Sequence, residues 1–288
     1  MPNTAPPLRF VILAHPQLPL AMTKSGEIAA YLRARGLHAT AGKLYDEDLV
    51  QGIENNAFDM AIAMGGDGTM LRCGHLCAPH SVPIFGINMG RLGFLTEVNA
   101  EQWQMAVDRL VNGQYWLEAR MMLRAELFRS GKSLGHWDVL NEAMVGRGHI
   151  MRPVHLTTSV DSRFLTTYVA DGLIAATPTG STAYALAAGG PILPPDLRNI
   201  LLVPVAPHLS IDRAIVLAEG SFVSIRVSTD HAAALSVDGQ PPVDMLDGDQ
   251  VDVRANENQA HFVRFKDPAY FYRNLTSRMN TNATGASS

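Results

Sequence analysis

The sequence contains little cysteine, no long apolar run and no cluster of like charges. Its 288 residues include only two cysteines, Cys73 and Cys77, which is too few for a secreted scaffold held together by disulfides. No stretch reaches the ~20 apolar residues that a membrane helix needs. The 23 basic and 27 acidic residues give a net charge of −4 without a basic run, which argues against a nucleic-acid surface.

The amino-terminal sequence shows no targeting signal. The apolar run from Leu8 to Ala14 is short and is followed by His15-Pro16, which favours a first strand over the core of a signal peptide. We therefore expect a soluble, cytoplasmic protein that contacts neither membrane nor nucleic acid.

The expected fold class is α/β plus all-β. A chain of 288 residues with 47% hydrophobic residues predicts two packed domains. In residues 1–120, strand and helix patterns alternate, which predicts a Rossmann-like parallel sheet with helices on its faces. The predicted strands are Arg9–Leu13, His38–Leu44, Phe58–Met64 and Val82–Ile87, and the predicted helices are Thr23–Arg35, Thr69–Leu76 and Glu101–Val111.

Residues 121–265 have a different pattern, typical of a β-rich, sandwich-like domain with turn signals between short strands. One helix, Ser181–Ala188, is predicted in this half. The predicted strands are Met122–Arg129, Trp137–Val145, Val154–Val160, Phe164–Ala170, Ile200–Val205, Ser221–Val227, Ala233–Val237 and Gln250–Arg254. Residues 266–288 are predicted to form a helical segment, Pro268–Arg278, and a disordered tail, Asn280–Ser288.

The most informative segment is Gly65-Gly66-Asp67-Gly68-Thr69, which lies between a predicted strand and a predicted helix. The glycines let backbone N–H groups approach an anion, and the helix N-terminus adds partial positive charge. A carboxylate would repel phosphate there unless it serves a metal or accepts a proton, so Asp67 is the first candidate for chemistry. Alternatively, the glycines serve only a tight turn. The segment is neither a Walker A loop nor a dinucleotide fingerprint, which argues against a plain dehydrogenase.

Two further segments are candidates for ligand binding. From Asp171 to Tyr184 the pattern is again strand, polar turn and helix, with four hydroxyl residues around Gly180 that could hold a polar ligand. Alternatively, one of these hydroxyls simply caps a helix. The pair Asn141-Glu142 interrupts an apolar strand pattern, where polar groups need a partner or solvent. Alternatively, this pair lies on the solvent face of an edge strand.

Taken together, these segments resemble the ATP-dependent NAD kinases of bacteria. The resemblance covers residues 8–275 and rests on blocks that occur in the family's order: Gly65 to Thr69, Asn88 to Leu95, Asn141-Glu142, Asp171 to Tyr184 continuing to Gly189-Gly190-Pro191-Ile192, and Asp238-Gly239-Gln240. The first block alone is shared with lipid kinases, whereas the block from Thr177 to Tyr184 is far more specific to NAD kinases.

The resemblance implies transfer of the γ-phosphoryl group of ATP to the 2′-hydroxyl of the adenosine ribose of NAD, which gives NADP. It implies Asp67 as the catalytic proton acceptor and a phosphate-binding set of Gly65, Gly66, Gly68, Thr69 and Arg72. It assigns Asn141 and Glu142 to ribose hydroxyls, Asp171 and Thr179 to the adenine amino group, and Arg152 to the pyrophosphate. The other implied NAD-binding residues are Asp67, Gly68, Thr182, Ala183, Tyr184, Ala185, Leu186, Ala187 and Gln240.

The resemblance also implies partners and a cofactor. NAD and ATP are the expected substrates, with Mg²⁺ bound together with ATP and no protein metal ligand assigned directly. The family acts as a homodimer or homotetramer in which neighbouring subunits complete the site. Two other functions stay open: a lipid or sphingoid-base kinase, which would not need the segment Thr177–Tyr184, and a non-catalytic NAD(P) sensor, which would gain nothing from Asp67 beside phosphates.

Overall fold

The computed structural model of the chain describes residues 6–90, 93–150, 152–208, 211–267, 270–272 and 275. Two compact units are present. Unit 1 consists of Met1–Ala119 and Ala260–Ser288, and unit 2 consists of Arg120–Gln259. The chain therefore leaves unit 1 after Ala119 and returns to it at Ala260.

Unit 1 contains alternating strands and helices, as its sequence pattern predicts. Its strands are β1 (Arg9–Ala14), β2 (His38–Lys43), β3 (Met60–Gly65), β4 (Ile84–Asn88) and β5 (Val98–Asn99). Its helices are α1 (Pro19–Arg33), α2 (Glu47–Glu54), α3 (Asp67–Cys77) and α4 (Trp103–Val111), with short 3-10 helices at Ala78–His80 and Ala100–Gln102.

Unit 2 is built almost entirely of strands, which begin with β6 at the boundary between the units. They are β6 (Trp116–Arg129), β7 (Lys132–Val139), β8 (Glu142–Arg147), β9 (Val154–Val160), β10 (Arg163–Ala170), β11 (Gly172–Ala176), β12 (Asn199–Val205), β13 (Ile215–Ala218), β14 (Val223–Ser228), β15 (Ala233–Val237), β16 (Val243–Met245) and β17 (Gln250–Arg264). The helical residues are a 3-10 helix at Gly180–Thr182 and α5 (Tyr184–Ala187).

The sheet of unit 1 is parallel, in the order β4-β3-β1-β2, and the end of β17 joins it beside β4 through the pair Phe262 and Ile84. Every residue of β3 is buried, as expected for a parallel strand covered on both faces. Strand β3 ends at Gly65 and α3 begins at Asp67, so the glycine-rich segment lies at the carboxyl edge of the sheet. Ligands bind at this edge in open α/β sheets.

In unit 2 two antiparallel sheets enclose one core. The first has the order β10-β9-β14-β17 and the second has the order β13-β12-β11-β8-β15-β16. Apolar residues from both sheets, such as Leu156, Tyr168, Leu173 and Val253, belong to a single buried cluster. The expected sandwich-like architecture is therefore confirmed for this unit.

Some predicted boundaries are wrong for identifiable physical reasons. Helix α1 begins at Pro19 instead of Thr23, because proline fits the first helical turn. Helix α3 begins at Asp67 instead of Thr69, because an acidic residue in the first turn complements the helix dipole. Strand β17 continues ten residues beyond the predicted end at Arg254, to Arg264.

Two errors fall on the segments that carry candidate site residues. The predicted strand Trp137–Val145 is two strands, because the backbone amides between β7 and β8 bond to Asp238 instead of to a neighbouring strand. The predicted helix Ser181–Ala188 is reduced to a 3-10 turn and the four residues of α5, because Ser181 and Thr182 bond to nearby backbone groups. The sequence pattern also failed to predict α2, β5, β13 and β16.

Near the carboxyl terminus, Tyr270, Phe271, Tyr272 and Leu275 are helical, in agreement with part of the predicted helix Pro268–Arg278. The predicted disordered tail Asn280–Ser288 lies outside the described residues. So do the other residues of the predicted helix, namely Pro268, Ala269, Arg273, Asn274 and 276–278. In the part of the chain that the structure describes, no helix is long and apolar enough to cross a membrane.

The core of unit 2 contains one polar atom that gives a stability prediction. Tyr168 is fully buried, and its hydroxyl has no hydrogen-bond partner among the described residues. Burial of such a group costs about 1–3 kcal/mol, so Tyr168→Phe should leave the free energy of unfolding unchanged or raise it by about 1 kcal/mol. Urea unfolding followed by circular dichroism measures this change.

Tyr31→Phe is the matched control, because the Tyr31 hydroxyl donates to Asp108 Oδ1 over 2.9 Å. Loss of that bond should lower the unfolding free energy by about 0.5–1.5 kcal/mol. A clear destabilisation by Tyr168→Phe would show that its hydroxyl is satisfied in solution.

Candidate active site

In unit 1 the candidate chemistry centres on Asp67, the first residue of α3. Gly66 is the N-cap residue, and the amides of Thr69 and Met70 donate to its carbonyl at 3.0 and 3.1 Å. Asp67 and Gly66 are half-buried and Gly68 is exposed. The eleven-residue helix directs its positive dipole end at this position, where an anion is stabilised.

The Asp67 carboxylate is oriented by a loop that follows β4. Oδ2 accepts a hydrogen bond from the backbone N–H of Phe94 over 2.7 Å, and Oδ1 accepts one from Leu95 over 2.9 Å. The adjacent Gly93 lies so close that a Cβ atom built there would overlap the carboxylate. A carboxylate offers about four acceptor positions, so two stay available for a substrate hydroxyl or a cation. Arg91 and Leu92, which precede this loop in the resemblance block, lie outside the described residues.

The other predicted phosphate-binding residues have different environments. The Thr69 side chain is buried against Gly65, where any Cβ atom would overlap it, so Gly65 must be a glycine. The Thr69 hydroxyl is buried and has no partner among the described residues. Arg72 lies one turn further along α3 and is exposed. Of the described glycines in this segment, Gly68 is exposed beside Asp67, Gly66 is half-buried and Gly65 is buried.

In unit 2 the structure brings the pair Asn141-Glu142 together with the hydroxyl-rich segment. The amide of Thr177 donates to the Asn141 carbonyl over 2.9 Å, and the Thr177 hydroxyl donates to the Leu140 carbonyl over 2.6 Å. Gly180 packs so tightly on the Asn141 backbone that a Cβ atom would overlap it. Glu142 pairs with Ala176 across β8 and β11, so this cluster lies where β8 begins and β11 ends.

Asp238 fixes the backbone of this cluster. Its Oδ2 accepts the amide of Leu140 at 2.7 Å, and its Oδ1 accepts the amides of Asn141 and Glu142, each at 2.8 Å. The residue is buried, in a turn where Asp238 and Gly239 both have positive φ. Sequence reasoning used Asp238-Gly239 as a turn signal and as part of the resemblance, and it missed this positioning role. The Asp-Gly pair, which is typical of a tight turn, was the signal in the sequence.

The same environment shifts the pKa of Glu142. Burial, the nearby charge of Asp238 and an opposing hydrogen bond from the Tyr184 amide together raise the pKa of Glu142 to about 7. Its Oε2 atom is buried and has no partner among the described residues. Glu142 is therefore a carboxyl group that changes its charge near neutral pH and has one buried oxygen without a hydrogen-bond partner among the described residues.

Each of the four hydroxyls around Gly180, which were expected to be able to hold a polar ligand, has a hydrogen-bond partner within the chain. Besides Thr177, Ser181 donates to the Pro178 carbonyl at 2.7 Å and accepts the Leu193 amide at 2.9 Å. Thr182 donates to the Thr179 carbonyl at 3.2 Å. The buried Thr179 hydroxyl accepts from Arg120 Nη1 at 3.1 Å, a contact that sequence reasoning did not predict.

The remaining residues of the predicted pocket are arranged as follows. The Ala183 amide donates to the Gly180 carbonyl at 2.9 Å. Tyr184 and Ala187 are exposed, Leu186 is half-buried and Ala185 is buried. Gln240 is exposed and follows the turn of Asp238, at the same end of the sheet.

The structure separates Asp171 from this cluster. Asp171 directly precedes β11, whose five residues span about 17 Å, whereas Thr179 follows the far end of that strand. It forms an ion pair with Arg147, 3.1 Å between Oδ1 and Nε. The expectation that Asp171 and Thr179 share one adenine pocket is therefore wrong for a single chain. The exposed Arg152 precedes β9, which begins at Val154, the register partner of Ala170, so it also lies near the Asp171 end.

Among the described residues, neither cysteine lies in a group of side chains that could hold a metal ion. Cys73 and Cys77 are free and fully buried in α3, and burial raises the pKa of the Cys77 thiol to about 12. Within the described ranges, no three acidic, histidine or cysteine side chains come together in a group that could hold a metal ion.

Two protein-family domains match the chain, one in its amino-terminal part and one in its carboxyl-terminal part. The ATP-NAD kinase N-terminal domain matches residues 13–115, and the ATP-NAD kinase C-terminal domain matches residues 140–265. The NAD kinase of Chloroflexus aggregans is 39% identical over 272 residues, covering 94% of this chain and 98% of the relative. The NAD kinase of Symbiobacterium thermophilum is 40% identical over 281 residues, covering 94% and 99%.

Solved structures give the same result. The structure of an NAD kinase from Archaeoglobus fulgidus in complex with ATP superposes with a TM-score of 0.74 and 26% identity, covering 95% of this chain and 99% of that one. Yeast NADH kinase complexed with NADH has the same fold, with a TM-score of 0.85 and 24% identity, covering 99% and 90%. With both domain families matched in order and relatives aligned over nearly their whole length, the chain belongs to the NAD kinase family.

Proposed function

We propose that the chain transfers the γ-phosphoryl group of ATP to the 2′-hydroxyl of the adenosine ribose of NAD, with Asp67 as the proton acceptor. The observation that carries this assignment is the Asp67 carboxylate, fixed at the N-terminus of α3 by the amides of Phe94 and Leu95. Purified protein with Mg-ATP and NAD, with NADP detected by a coupled dehydrogenase, tests the proposal.

The proposed reaction is a direct transfer between two oxygen atoms. The ribose 2′-oxygen forms a bond to the γ-phosphorus, and the bond from that phosphorus to the β,γ-bridging oxygen breaks, which releases ADP. The hydroxyl proton passes to Asp67. In phosphoryl transfer, positioning and charge stabilisation provide most of the acceleration, and a general base adds about 10²–10⁴-fold.

The phosphate groups are assigned to the glycine-rich segment. The half-buried Gly66, the exposed Gly68 and the dipole of α3 can stabilise an anion through backbone groups, without a charged side chain. Mg²⁺ is proposed to enter with ATP, because magnesium sites in kinases use one or two carboxylates together with substrate phosphates. Asp67 fits that requirement, and bound Mg²⁺ would neutralise phosphate charge. Arg72, exposed on α3, is proposed as a further phosphate contact.

The adenosine of NAD is assigned to unit 2. Asn141 and Glu142, whose Oε2 has no partner among the described residues, are proposed to accept hydrogen bonds from ribose hydroxyls. Thr182, Ala183 and Tyr184 are proposed to line the adenine slot. Thr179 is held by Arg120, so its proposed contact with the adenine amino group uses the remaining capacity of its oxygen.

We also propose that the chain acts as a homodimer or homotetramer. Asp171 and Arg152 lie at the other end of the sheet from Asn141, and in this proposal they contact NAD held by a neighbouring copy. A cytoplasmic location is proposed because ATP and NAD are both available there. No described feature favours a lipid acceptor, and the match to both NAD kinase domains favours NAD.

Replacement of Asp67 tests the chemical role directly. Asp67→Asn keeps the shape of the side chain but cannot accept a proton. We expect NADP formation to fall by at least about 10²-fold while NAD binding survives. Steady-state turnover and calorimetric titration with NAD measure the two effects, and near-normal turnover would overturn the assignment.

Gly93→Ala tests whether the position of the carboxylate matters. The added methyl group would overlap the Asp67 carboxylate, so turnover should fall by on the order of 10–100-fold, as expected when a reacting group is displaced by about 1 Å. Gly90→Ala is the matched control, because no described heavy atom lies within 4 Å of its added methyl group. Equal activity of both variants would contradict the proposed geometry.

Glu142 gives a prediction about pH. Its pKa of about 7 means that the free protein largely keeps this proton at pH 6 and loses it at pH 8. Only the charged carboxylate accepts strong hydrogen bonds from ribose hydroxyls, so NAD should bind up to about tenfold more tightly at pH 8 than at pH 6. In Glu142→Gln the affinity should be weaker and independent of pH over this range. A flat profile for the unmodified chain would remove Glu142 from the site.

A further inference from the structure

The loop that holds Asp67 is itself held from its other side. The Leu95 amide donates to Asp67, while the Leu95 carbonyl accepts a hydrogen bond of 2.8 Å from Arg264 Nη1. Arg264 is the last residue of β17, in the part of the chain that has returned to unit 1. The backbone of Leu95, through its carbonyl and its amide, therefore connects the guanidinium group of Arg264 to the carboxylate of Asp67.

Arg264 is fixed by buried acids. Its side chain is 1% exposed, its Nε donates to Glu118 Oε2 over 2.7 Å, and its Nη1 lies 3.4 Å from Glu97 Oε2. Burial lowers the pKa of Arg264, but Glu118, Tyr270 and Glu97 outweigh it and raise this pKa above its ordinary value. The group stays a cation, and its planar fork is held at a defined angle.

Glu97 ties the same loop to the end of β17 a second time. Its Oε1 accepts the backbone amides of Phe265 and Lys266 at 3.0 and 3.3 Å, and its own amide donates to the Gly86 carbonyl in β4 at 2.9 Å. The segment from Gly93 to Glu97 is thus attached to β4, to β17 and to Asp67. Its position cannot change without a change at one of these contacts.

We propose that Arg264 is a positioning residue for the catalytic carboxylate, because it fixes the backbone of Leu95 through the carbonyl, and the N–H of the same residue orients Asp67. This inference rests on the proposed role of Asp67 as proton acceptor. Arg264 does not contact substrate in this proposal. It acts by keeping the free lone pairs of Asp67 directed at the ribose hydroxyl.

Arg264→Lys is the test variant, since it keeps the positive charge beside Glu97 and Glu118. A lysine has one nitrogen and cannot reach both Glu118 and the Leu95 carbonyl with the geometry of the arginine fork. We expect kcat to fall by about tenfold or more, with KM for NAD and for ATP within about twofold of the unmodified values. Arg129→Lys is the matched control, because it alters another arginine bonded to a buried acid, Asp249, in unit 2.

Amide hydrogen exchange provides a measurement that a general loss of stability would not reproduce. In Arg264→Lys the peptide containing Phe94 and Leu95 should exchange faster, while the β3 peptide containing Ile62 keeps its protection. Glu118→Gln is a milder second variant, because it removes charge but keeps an acceptor for Arg264 Nε. It should change kcat and exchange in the same direction by less.

The outcomes separate the inference from the proposed function. Faster exchange at Phe94 and Leu95 together with a selective loss of kcat supports the positioning role. Unchanged kcat, a loss shared equally by Arg129→Lys, or faster exchange throughout unit 1 would overturn it. If the unmodified protein does not phosphorylate NAD at all, the proposed function fails, whereas the exchange result still reports whether Arg264 fixes the loop.

Discussion

The carboxylate of Asp67 accepts two successive backbone amides, and the geometry of the candidate site in unit 1 follows from that interaction. Asp67 could point in several directions at the start of a helix. The amides of Phe94 and Leu95 select one of them. Charge-assisted bonds of this kind are about twice as strong as neutral ones, so they define a direction that a half-exposed side chain would not keep unaided.

The same device recurs elsewhere in the molecule. Asp238 accepts the amides of three consecutive residues at the start of β8, and Glu97 accepts two amides that follow β17. In each case an acid accepts hydrogen bonds from backbone amides at a strand end and so satisfies donors within the protein. Segments without regular structure thereby become rigid enough to carry a site, although they lie outside the hydrogen-bonded sheets.

This device explains which parts of the structure could be predicted from sequence. The alternating elements of unit 1 other than α2 and β5, and the strands β9 and β15, follow from local patterns, and β3 is recognisable from a continuous apolar run. The break between β7 and β8 was not predictable locally, because its cause, Asp238, is 96 to 98 residues away. Strand β17 was predicted too short, since Asn256, Asn258 and Gln259 interrupt its apolar alternation.

In the candidate site, too, some residues could be recognised from local sequence, whereas their partners could not. Asp67 was recognisable because an acid within a glycine turn is chemically unusual, but its partners lie 27 and 28 residues further along the chain. Asn141 and Glu142 were recognisable as polar residues within an apolar pattern. Asp171 was misplaced because sequence order puts it beside the hydroxyl segment, whereas an intervening strand separates the two in space. The hydroxyls around Gly180 suggested a ligand, yet most of their bonds hold the turn together.

Positioning by buried charge also has an electrostatic consequence for its neighbours. Asp238 fixes the amides of Asn141 and Glu142, but its negative charge, added to burial, keeps the Glu142 carboxyl protonated up to about pH 7. An uncharged amide at position 238 would relieve Glu142 but could not accept three amides with its single oxygen. An aspartate at position 238 therefore fixes the backbone, and as a consequence Glu142 is not charged at every pH. One buried oxygen of Glu142 has no hydrogen-bond partner among the described residues. If Glu142 binds ribose, a hydroxyl of the ligand supplies that missing hydrogen bond.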